Sequence, residues 1–408
     1  MNSLISLDDA LAKITRALSF PPDSHTEWVS LDVAHNRICA EDIHSPINVP
    51  GFDNSAMDGY AVRMTDLTGE PLTVAGKSFA GSPFEGEWTK GSVVRIMTGA
   101  VVPDGCEAVI MQEHAEVQAD GKVRFTQEAK AGQNIRRLGD DVKKGDIVLK
   151  KGAKLTALSL PLLASLGLEQ VRVYRKIKVA LISTGDELVS VGNPLKKGQI
   201  YDTNRFTVRL LLENWHCDIL DYSILPDDKV RFAKTFSEAQ QKADLVITSG
   251  GVSVGEADFT KDVLEQLGQM NFWKLAMKPG KPFAFGKFDH AWFCGLPGNP
   301  VSALVTFYQL VQPVLARLTG FSQWQLPPQL PAIAGSAMKK TPGRLDFQRG
   351  HYRVNAQGQI EVQPVGFQGS HMFSSFVQSN CLIVLERERG NVAAGEQVVI
   401  EPFGDVLQ

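Results

Sequence analysis

Residues 244 to 258 read Asp244-Leu-Val-Ile-Thr-Ser-Gly-Gly-Val-Ser-Val-Gly-Glu-Ala-Asp258. The apolar run Leu245 to Ile247 predicts a short buried strand. It empties into Gly250-Gly251, and Glu256 and Asp258 follow before a helix-like segment. Glycines after a strand bring backbone N–H groups close to an anion, and the helix start behind them adds a favourable dipole. Nearby carboxylates suit a divalent cation held against that same anion. A Gly-Gly pair after a strand also serves as a plain tight turn. The same punctuation recurs, however, at three more places. Val179 to Ser183 runs into Thr184-Gly-Asp-Glu187, Asp218 to Leu225 into Pro226-Asp-Asp228, and Ala291 to Cys294 into Gly295-Leu-Pro-Gly-Asn-Pro300. Strands alternating with helical patterns predict a parallel sheet whose strand exits share one edge. Open α/β sheets bind ligands at that carboxyl edge, so a site is expected there.

At 408 residues the chain exceeds one ordinary core, and two to four domains are expected. An apolar fraction of 43% with 42 basic and 45 acidic residues describes a soluble globular protein of net charge −3. No basic tail, arginine-rich run or zinc-finger spacing occurs, which argues against nucleic acid as a partner. The five cysteines, Cys39, Cys106, Cys217, Cys294 and Cys381, form no C-x-x-C pair. Their odd number and dispersion predict free, inert thiols in a reducing cytosol. No secretory signal opens the chain. The apolar stretch Leu158 to Leu168 contains Pro161 and is too short to span a bilayer. A cytoplasmic location without membrane contact is expected.

Along the chain, Ser6 predicts a helix cap with Asp9 three residues on, and Leu7, Leu11, Ile14 and Leu18 share one face before Pro21-Pro22. Residues 51 to 140 are rich in glycine and β-branched alternation, which predicts a compact β module. The run Asp141 to Leu155 carries two Lys-Lys-Gly turns and reads as a hairpin, and Thr156 to Leu166 as a helix. Lys143, Lys144, Lys150, Lys151, Lys154 and Lys176 invite an anion-binding reading, although their alternation favours a solvated strand face. The last helix of the α/β region starts with Asn299 as cap and Pro300 at its first position, with a kink at Pro313. Beyond Pro327-Pro328, short strands between glycines predict a small β-barrel or sandwich.

Taken together, Thr248-Ser-Gly-Gly-Val-Ser-Val-Gly-Glu-Ala-Asp258, Ser183-Thr-Gly-Asp-Glu187, Lys278-Pro-Gly-Lys-Pro282 and Leu296-Pro-Gly-Asn-Pro300 resemble the signature loops of the molybdopterin molybdenumtransferase family, which includes bacterial MoeA and the gephyrin E domain. Phe52-Asp-Asn-Ser-Ala-Met-Asp-Gly-Tyr-Ala61, Ile96-Met-Thr-Gly-Ala100, Gly343-Arg-Leu-Asp-Phe-Gln-Arg-Gly350 and Gly369-Ser370 extend the resemblance over almost the whole chain. It is close to the enterobacterial type. Val101 stands where the family commonly has proline, and Gln378-Ser-Asn-Cys381 departs from its frequent Ala-Asn-Gly. The resemblance implies a multidomain α/β fold: a doubly wound molybdopterin-binding-like domain at 178–326, a discontinuous first domain at 1–45 and 141–177, a β module inserted at 46–140, and a small C-terminal β-barrel at 327–408. It implies insertion of molybdate into adenylylated molybdopterin with magnesium-dependent release of AMP, in an elongated homodimer. It also implies contact with the molybdopterin adenylyltransferase and with molybdoenzyme-maturation proteins. Adenylylation of molybdopterin, or a non-catalytic carrier or scaffold role, are the alternatives.

The chemistry so implied makes three demands. A pyrophosphate needs N–H groups and cations, a metal ion needs oxygen ligands, and molybdate needs a small positive pocket. Gly250, Gly251 and Ser253 are candidates for the phosphate or pterin cradle. Asp186, Glu187, Asp227 and Asp258 lie at or just past strand exits and are candidate Mg2+ ligands; Asp227-Asp228 alternatively caps a helix. Lys278 and Lys281 flank Pro279-Gly280 and point to anion contact, with Lys274 nearby; Pro297 and Pro300 shape their loop. By the resemblance, Asp58 and Thr98 act from the β module in the partner subunit's cleft. Arg136 and Asp141 flank the return to the first domain as supports, and Arg349 and Ser370 carry the corresponding role from the last domain. No Ser/His/Asp or Cys/His nucleophile pattern is present, so covalent catalysis is not expected.

Overall fold

The computed structural model describes residues 4–250, 259–404 and 407. The chain gathers into two compact units, one of Met1–Ala40, Lys151–Ala157 and Gln170–Gln408, the other of Glu41–Lys150 and Leu158–Glu169.

The first unit begins with α1 (Leu7–Ala17). Ser6 caps it as its sequence predicts: the Asp9 N–H donates to Ser6 Oγ at 3.0 Å, and that hydroxyl donates to the Asp9 carboxylate at 2.7 Å. Ala10, Ile14 and Leu18 carry its buried face into the main core. The α/β part follows as β1 (Lys178–Thr184), α2 (Thr203–Asn214), β2 (Asp218–Leu225), α3 (Lys229–Lys242), β3 (Leu245–Ser249), α4 (Phe259–Leu267), β4 (Gly268–Lys274), β5 (Pro282–Phe288) and β6 (Trp292–Leu296). The strands form one six-stranded sheet in the order β2-β1-β3-β6-β5-β4. The four strands expected from the punctuation, β1, β2, β3 and β6, are mutually parallel. The sequence pattern did not anticipate β4 and β5, which extend the sheet antiparallel.

Alternate side chains of a strand point to opposite faces, and both faces here are apolar. Val179, Leu181, Leu245, Ile247, Cys294 and Leu296 join α2 in one core, whereas Ala180, Ile182, Val246 and Phe293 join α3 and α4 in another. Burying each such Val, Leu or Phe contributes roughly 1.5–3 kcal/mol before entropy is counted. Two covered faces require near-continuous hydrophobic strands. That is why Leu245–Ser249 shows no polar alternation and why the domain is doubly wound.

After β6 comes a continuous helical run, α5 (Pro300–Thr306), a π-helical turn Phe307–Val311, and α6 (Gln312–Thr319). Pro300 sits at the helix start as expected, but Asn299 occupies the cap position without a side-chain capping bond. The irregularity expected at Pro313 is the π turn just before it, where proline's missing N–H breaks the regular ladder. This run is long and apolar enough to cross a bilayer, yet 89% of its apolar window is buried inside the protein. Burial on all sides marks it as a core helix.

The last part is a closed barrel of β7 (Leu330–Ala334), β8 (Leu345–Val354), β9 (Ile360–Pro364), β10 (Cys381–Leu385) and β11 (Gln397–Pro402), in the order β8-β9-β7-β11-β10 and back to β8. Closure removes free sheet edges. One short strand, Met277–Lys278, adds itself parallel to β8 with Lys278 opposite Asp346.

The second unit is the β module. Its four-stranded sheet runs Thr73–Ser78, Ser92–Ile96, Gly59–Val62, Ala108–Met111. Val62, Val93 and Ile110 fill one side; Ala61, Val94, Ile96 and Val109 fill the other. The hairpin expected at 141–155 does not form. Gly145, at φ +94°, closes a turn with the Asp146 carboxylate capping the Lys143 N–H. The strand after it, Ile147–Leu149, pairs instead with Ile43–His44. The second Lys-Lys-Gly turn falls where the chain passes between units, with Lys150 in the second and Lys151-Gly152 in the first. The helix expected over Thr156–Leu166 spans only Ser159–Ser165. None of the five cysteines is in a disulfide, and burial pushes the Cys106 thiol up to about 11 and that of Cys381 to about 12.

Candidate active site

Sheet register brings the strand exits level. Ser183 of β1 pairs with Ser249 of β3, Ser249 with Leu296 of β6, and Thr184 with Leu225 of β2. The residues just beyond line a cleft of about 1020 Å³. Of the candidates named above, it gathers Glu187, Gly250, Lys278, Lys281, Pro297, Pro300 and Ser370. Gly251, Ser253 and Asp258, with Glu256, lie outside the described residues.

Gly250 has φ +87°, and a Cβ there would stand 2.7 Å from the Thr184 carbonyl oxygen. Only glycine allows so close an approach of two strand ends. Its own N–H donates to Leu296 O at 3.2 Å, so Gly250 fixes the shape of the cleft floor and its amide is already engaged.

Lys278 is held by its strand pairing with β8, and its Nζ lies 3.5 Å from the buried Asp346 carboxylate. Lys281 and Arg344 also line the cleft, and neither has a side-chain partner among the described residues. Three cations therefore line the space. Lys274 ends β4 at the same edge but does not line the cleft.

On the acidic side, Asp228 takes the helix cap, accepting the Arg231 N–H at 2.8 Å, which leaves the Asp227 carboxylate clear of that duty. The Asp227 N–H donates to Asp186 Oδ1 at 3.0 Å. Burial, then the charges of Asp186 and Glu187, push the Asp227 carboxyl above the usual range. Three carboxylates thus crowd one strand edge, and among the described residues none of them is in an ion pair. Among the described residues no group of three or more His, Cys, Asp or Glu is assembled as a metal cage. The mutual repulsion nevertheless fits a hard divalent ion with oxygen ligands.

Arg349 does not line the cleft. It is fully buried in β8, donating to Ser375 Oγ at 2.9 Å and to the carbonyls of Phe367 at 2.8 Å and Gly369 at 3.1 Å. Burial lowers its guanidinium to about 10. These bonds shape the loop that carries Gln368 and Ser370 into the cleft, where Ser370 O accepts the Val301 N–H at 3.1 Å.

Several cleft residues were not foreseen. Asp202 caps α2 and pairs with Arg205, and Asn204 donates to Ser249 Oγ and to Gly298 O, both at 2.7 Å. Asn204 thereby ties the β3 exit to the Pro297–Pro300 loop. An Asp-Thr-Asn run opening a helix was the available signal. Arg344 and Gln368 had none.

In the β module, Asp58 and Thr98 meet despite forty residues between them. Asp58 Oδ1 accepts the Thr98 N–H and hydroxyl, each at 2.7 Å, and these bonds hold its carboxyl below the usual range. Arg136 lies exposed in a two-residue strand paired with Asn54–Ser55, and Asp141 is also exposed.

A doubly wound α/β domain with a ligand cleft at its carboxyl edge, joined to a β-barrel and a separate β module, defines a multidomain protein of molybdopterin-binding type. Family models agree. The MoeA N-terminal region (domain I and II) matches residues 5–167, the "Probable molybdopterin binding domain" residues 180–317, and the MoeA C-terminal region (domain IV) residues 331–403. The chain is 65% identical to the molybdopterin molybdenumtransferase of Haemophilus influenzae, over 99% of its length and 100% of that protein. Gephyrin of Dictyostelium discoideum is 33% identical over 92% of this chain and 59% of its own length. The crystal structure of the molybdopterin biosynthesis MoeA protein from Pyrococcus horikoshii OT3 superposes with a TM-score of 0.83 at 30% identity, covering 98% of this chain and all of that one. The chain belongs to the molybdopterin molybdenumtransferase (MoeA) family.

Proposed function

We propose that the protein is a transferase of molybdenum cofactor biosynthesis that inserts molybdate into adenylylated molybdopterin and releases AMP. The observation that carries this reading is the cleft itself, where Glu187, Gly250, Lys278, Lys281 and Ser370 converge in a chain matched end to end by a transferase relative. That full-length match favours insertion over adenylylation of molybdopterin or a carrier role.

Lys278, Lys281 and Arg344 would neutralise the pyrophosphate and the molybdate dianion, both substrates. Pro297 and Pro300 keep the facing loop in place, and Gly250 and Asn204 fix the floor. Asp186, Glu187 and Asp227 would hold a magnesium ion, with Asp258 a further candidate. Such an ion would supply charge neutralisation at the pyrophosphate and make AMP a better leaving group. Glu187 reaches into the cleft from the acidic edge, so a cation there would stand between it and the substrate anion.

The reading extends to a cytoplasmic homodimer. In it, Asp58, Thr98 and Arg136 serve the cleft of the second copy; substrate arrives from the molybdopterin adenylyltransferase, and product leaves to molybdoenzyme-maturation proteins. A four-domain division at 1–45 with 141–177, 46–140, 178–326 and 327–408 accompanies it. Light scattering at micromolar concentration tests the dimer, and a monomer overturns it.

The decisive assay is AMP release from adenylylated molybdopterin by the purified protein with magnesium, titrated with molybdate. Molybdate-dependent release is expected. Tight pterin binding without release would instead favour a carrier.

A further inference from the structure

A second cavity, of about 530 Å³, shares no lining residue with the cleft. Its walls include Trp215, Phe321 and Trp324, with the Trp215 ring 6.3 Å from Phe321 and 6.5 Å from Trp324 between centroids. The polar lining is one-sided. Arg37, Lys154, Arg175, Lys176 and His216 contribute, and among the described residues no Asp or Glu lines it. Arg37 and Arg175 are paired with Glu27 and Asp244 outside the cavity. The Lys154 and Lys176 ammonium groups have no ion-pair or hydrogen-bond partner among the described residues, although the Lys176 carbonyl accepts a bond from Arg175.

The charge imbalance is also felt by His216. Burial and then the charges of Lys176, Lys154, His35 and Arg37 depress its basicity. A partly enclosed space with aromatic walls and an uncompensated cation pair has the form of a small-molecule site, with apolar walls for affinity and few polar groups for orientation. Two of the six lysines that invite an anion reading in the sequence meet here, although they are 22 residues apart.

We propose that this cavity binds a flat heteroaromatic ring carrying an anionic group, of nucleoside monophosphate size. The ring lies against Trp215 and Phe321, and the anion sits at Lys154 and Lys176. Aromatic faces attract any planar base, while ammonium groups act as point charges for phosphate. The site is independent of the cleft and of the reaction proposed for it.

Isothermal titration of the full chain with AMP, GMP, adenosine and inorganic phosphate tests the assignment. AMP or GMP is expected to bind, with adenosine weaker by about ten-fold or more for want of the charge-assisted bonds. The double variant Lys154→Gln/Lys176→Gln is expected to lose about ten-fold or more in nucleotide affinity, with its circular dichroism and AMP-release rate unchanged. Lys281→Gln, which alters the cleft, leaves this binding event intact. The proposal is overturned if no nucleotide binds at millimolar concentration. It is likewise overturned if Lys281→Gln abolishes all binding while the double variant keeps it, or if bare phosphate binds as tightly as AMP.

Discussion

Replacing Arg349 by methionine separates positioning from direct substrate contact. The side chain is fully buried and donates to Ser375 Oγ, Phe367 O and Gly369 O. Methionine keeps the stem and removes every donor. A fourth, longer bond runs to Gln368 O at 3.4 Å. Bonds from a charged group contribute roughly 1.5–3 kcal/mol each, so the three shorter ones alone amount to about 5–9 kcal/mol. Against this stands the cost of burying the charge, visible in a guanidinium lowered to about 10. The fall from the ordinary 12.5 to about 10, at about 1.4 kcal/mol per pKa unit, returns roughly 3.5 kcal/mol when the charge is removed. The lost bonds outweigh that relief, and Arg349→Met is expected to cost about 2–5 kcal/mol in denaturant unfolding.

Function should suffer as well, because the freed carbonyls belong to the loop that places Gln368 and Ser370 in the cleft. AMP release is expected to fall by about 10²-fold, since a small displacement of positioning groups costs that much. Ser375→Ala removes only the bond to Arg349 Nε and the Ser375 bond to Met372 O, both away from the cleft. It should reproduce part of the same loss, spread over the dependence on both molybdate and pterin substrate. Arg349→Lys keeps the charge but not the planar fork that reaches Ser375, Phe367 and Gly369 together, and should rescue little. A silent Ser375→Ala, together with an Arg349→Met defect confined to the KM for molybdate, would refute positioning in favour of direct contact.

Three other outcomes are expected. Gly250→Ala sets a Cβ 2.7 Å from the Thr184 carbonyl at φ +87°. It should destabilise by about 1–3 kcal/mol with loss of AMP release, and an unchanged thermal midpoint would contradict the tight-approach argument. Glu401 is buried, which raises its carboxyl pKa despite hydrogen bonds from Gln329 and Gln309 at 2.9 and 2.6 Å. The folded protein therefore keeps a proton that the unfolded chain releases near pH ~4.3, and stability falls as pH rises through the folded value. Glu401→Gln should flatten that slope in unfolding curves taken from about pH 4 to 7, whereas parallel curves for both proteins would sink the assignment. Asp227→Asn should weaken Mg2+ binding by about ten-fold or more, and wild-type affinity should drop as pH falls because the Asp227 carboxyl, raised above the usual range, takes up a proton. Turnover that survives exhaustive chelation would remove the metal from the reading.

The parallel core was legible because its strands are buried on both faces and end in small or acidic residues. Leu245–Ser249 and Lys178–Thr184 carry that pattern openly, and their shared edge follows from topology. β4 and β5 escaped because aromatic residues alternate there without an acidic exit, and an antiparallel extension needs no intervening helix. The cleft was legible on the side built from strand exits. Its other wall comes from the barrel, where period-two alternation decides which neighbour faces the ligand. Nothing in Gly343-Arg-Leu-Asp-Phe-Gln-Arg-Gly350 says that Arg344 lines the space while Arg349 is turned inward. Lys278 shows the same division. Its Lys-Pro-Gly-Lys-Pro setting announces anion chemistry, but its placement comes from a two-residue strand pinned to β8 and from the Asp346 carboxylate 3.5 Å away. A local motif can carry the charge a reaction needs. The direction of that charge is a tertiary property, set here by a barrel strand almost seventy residues further along the chain.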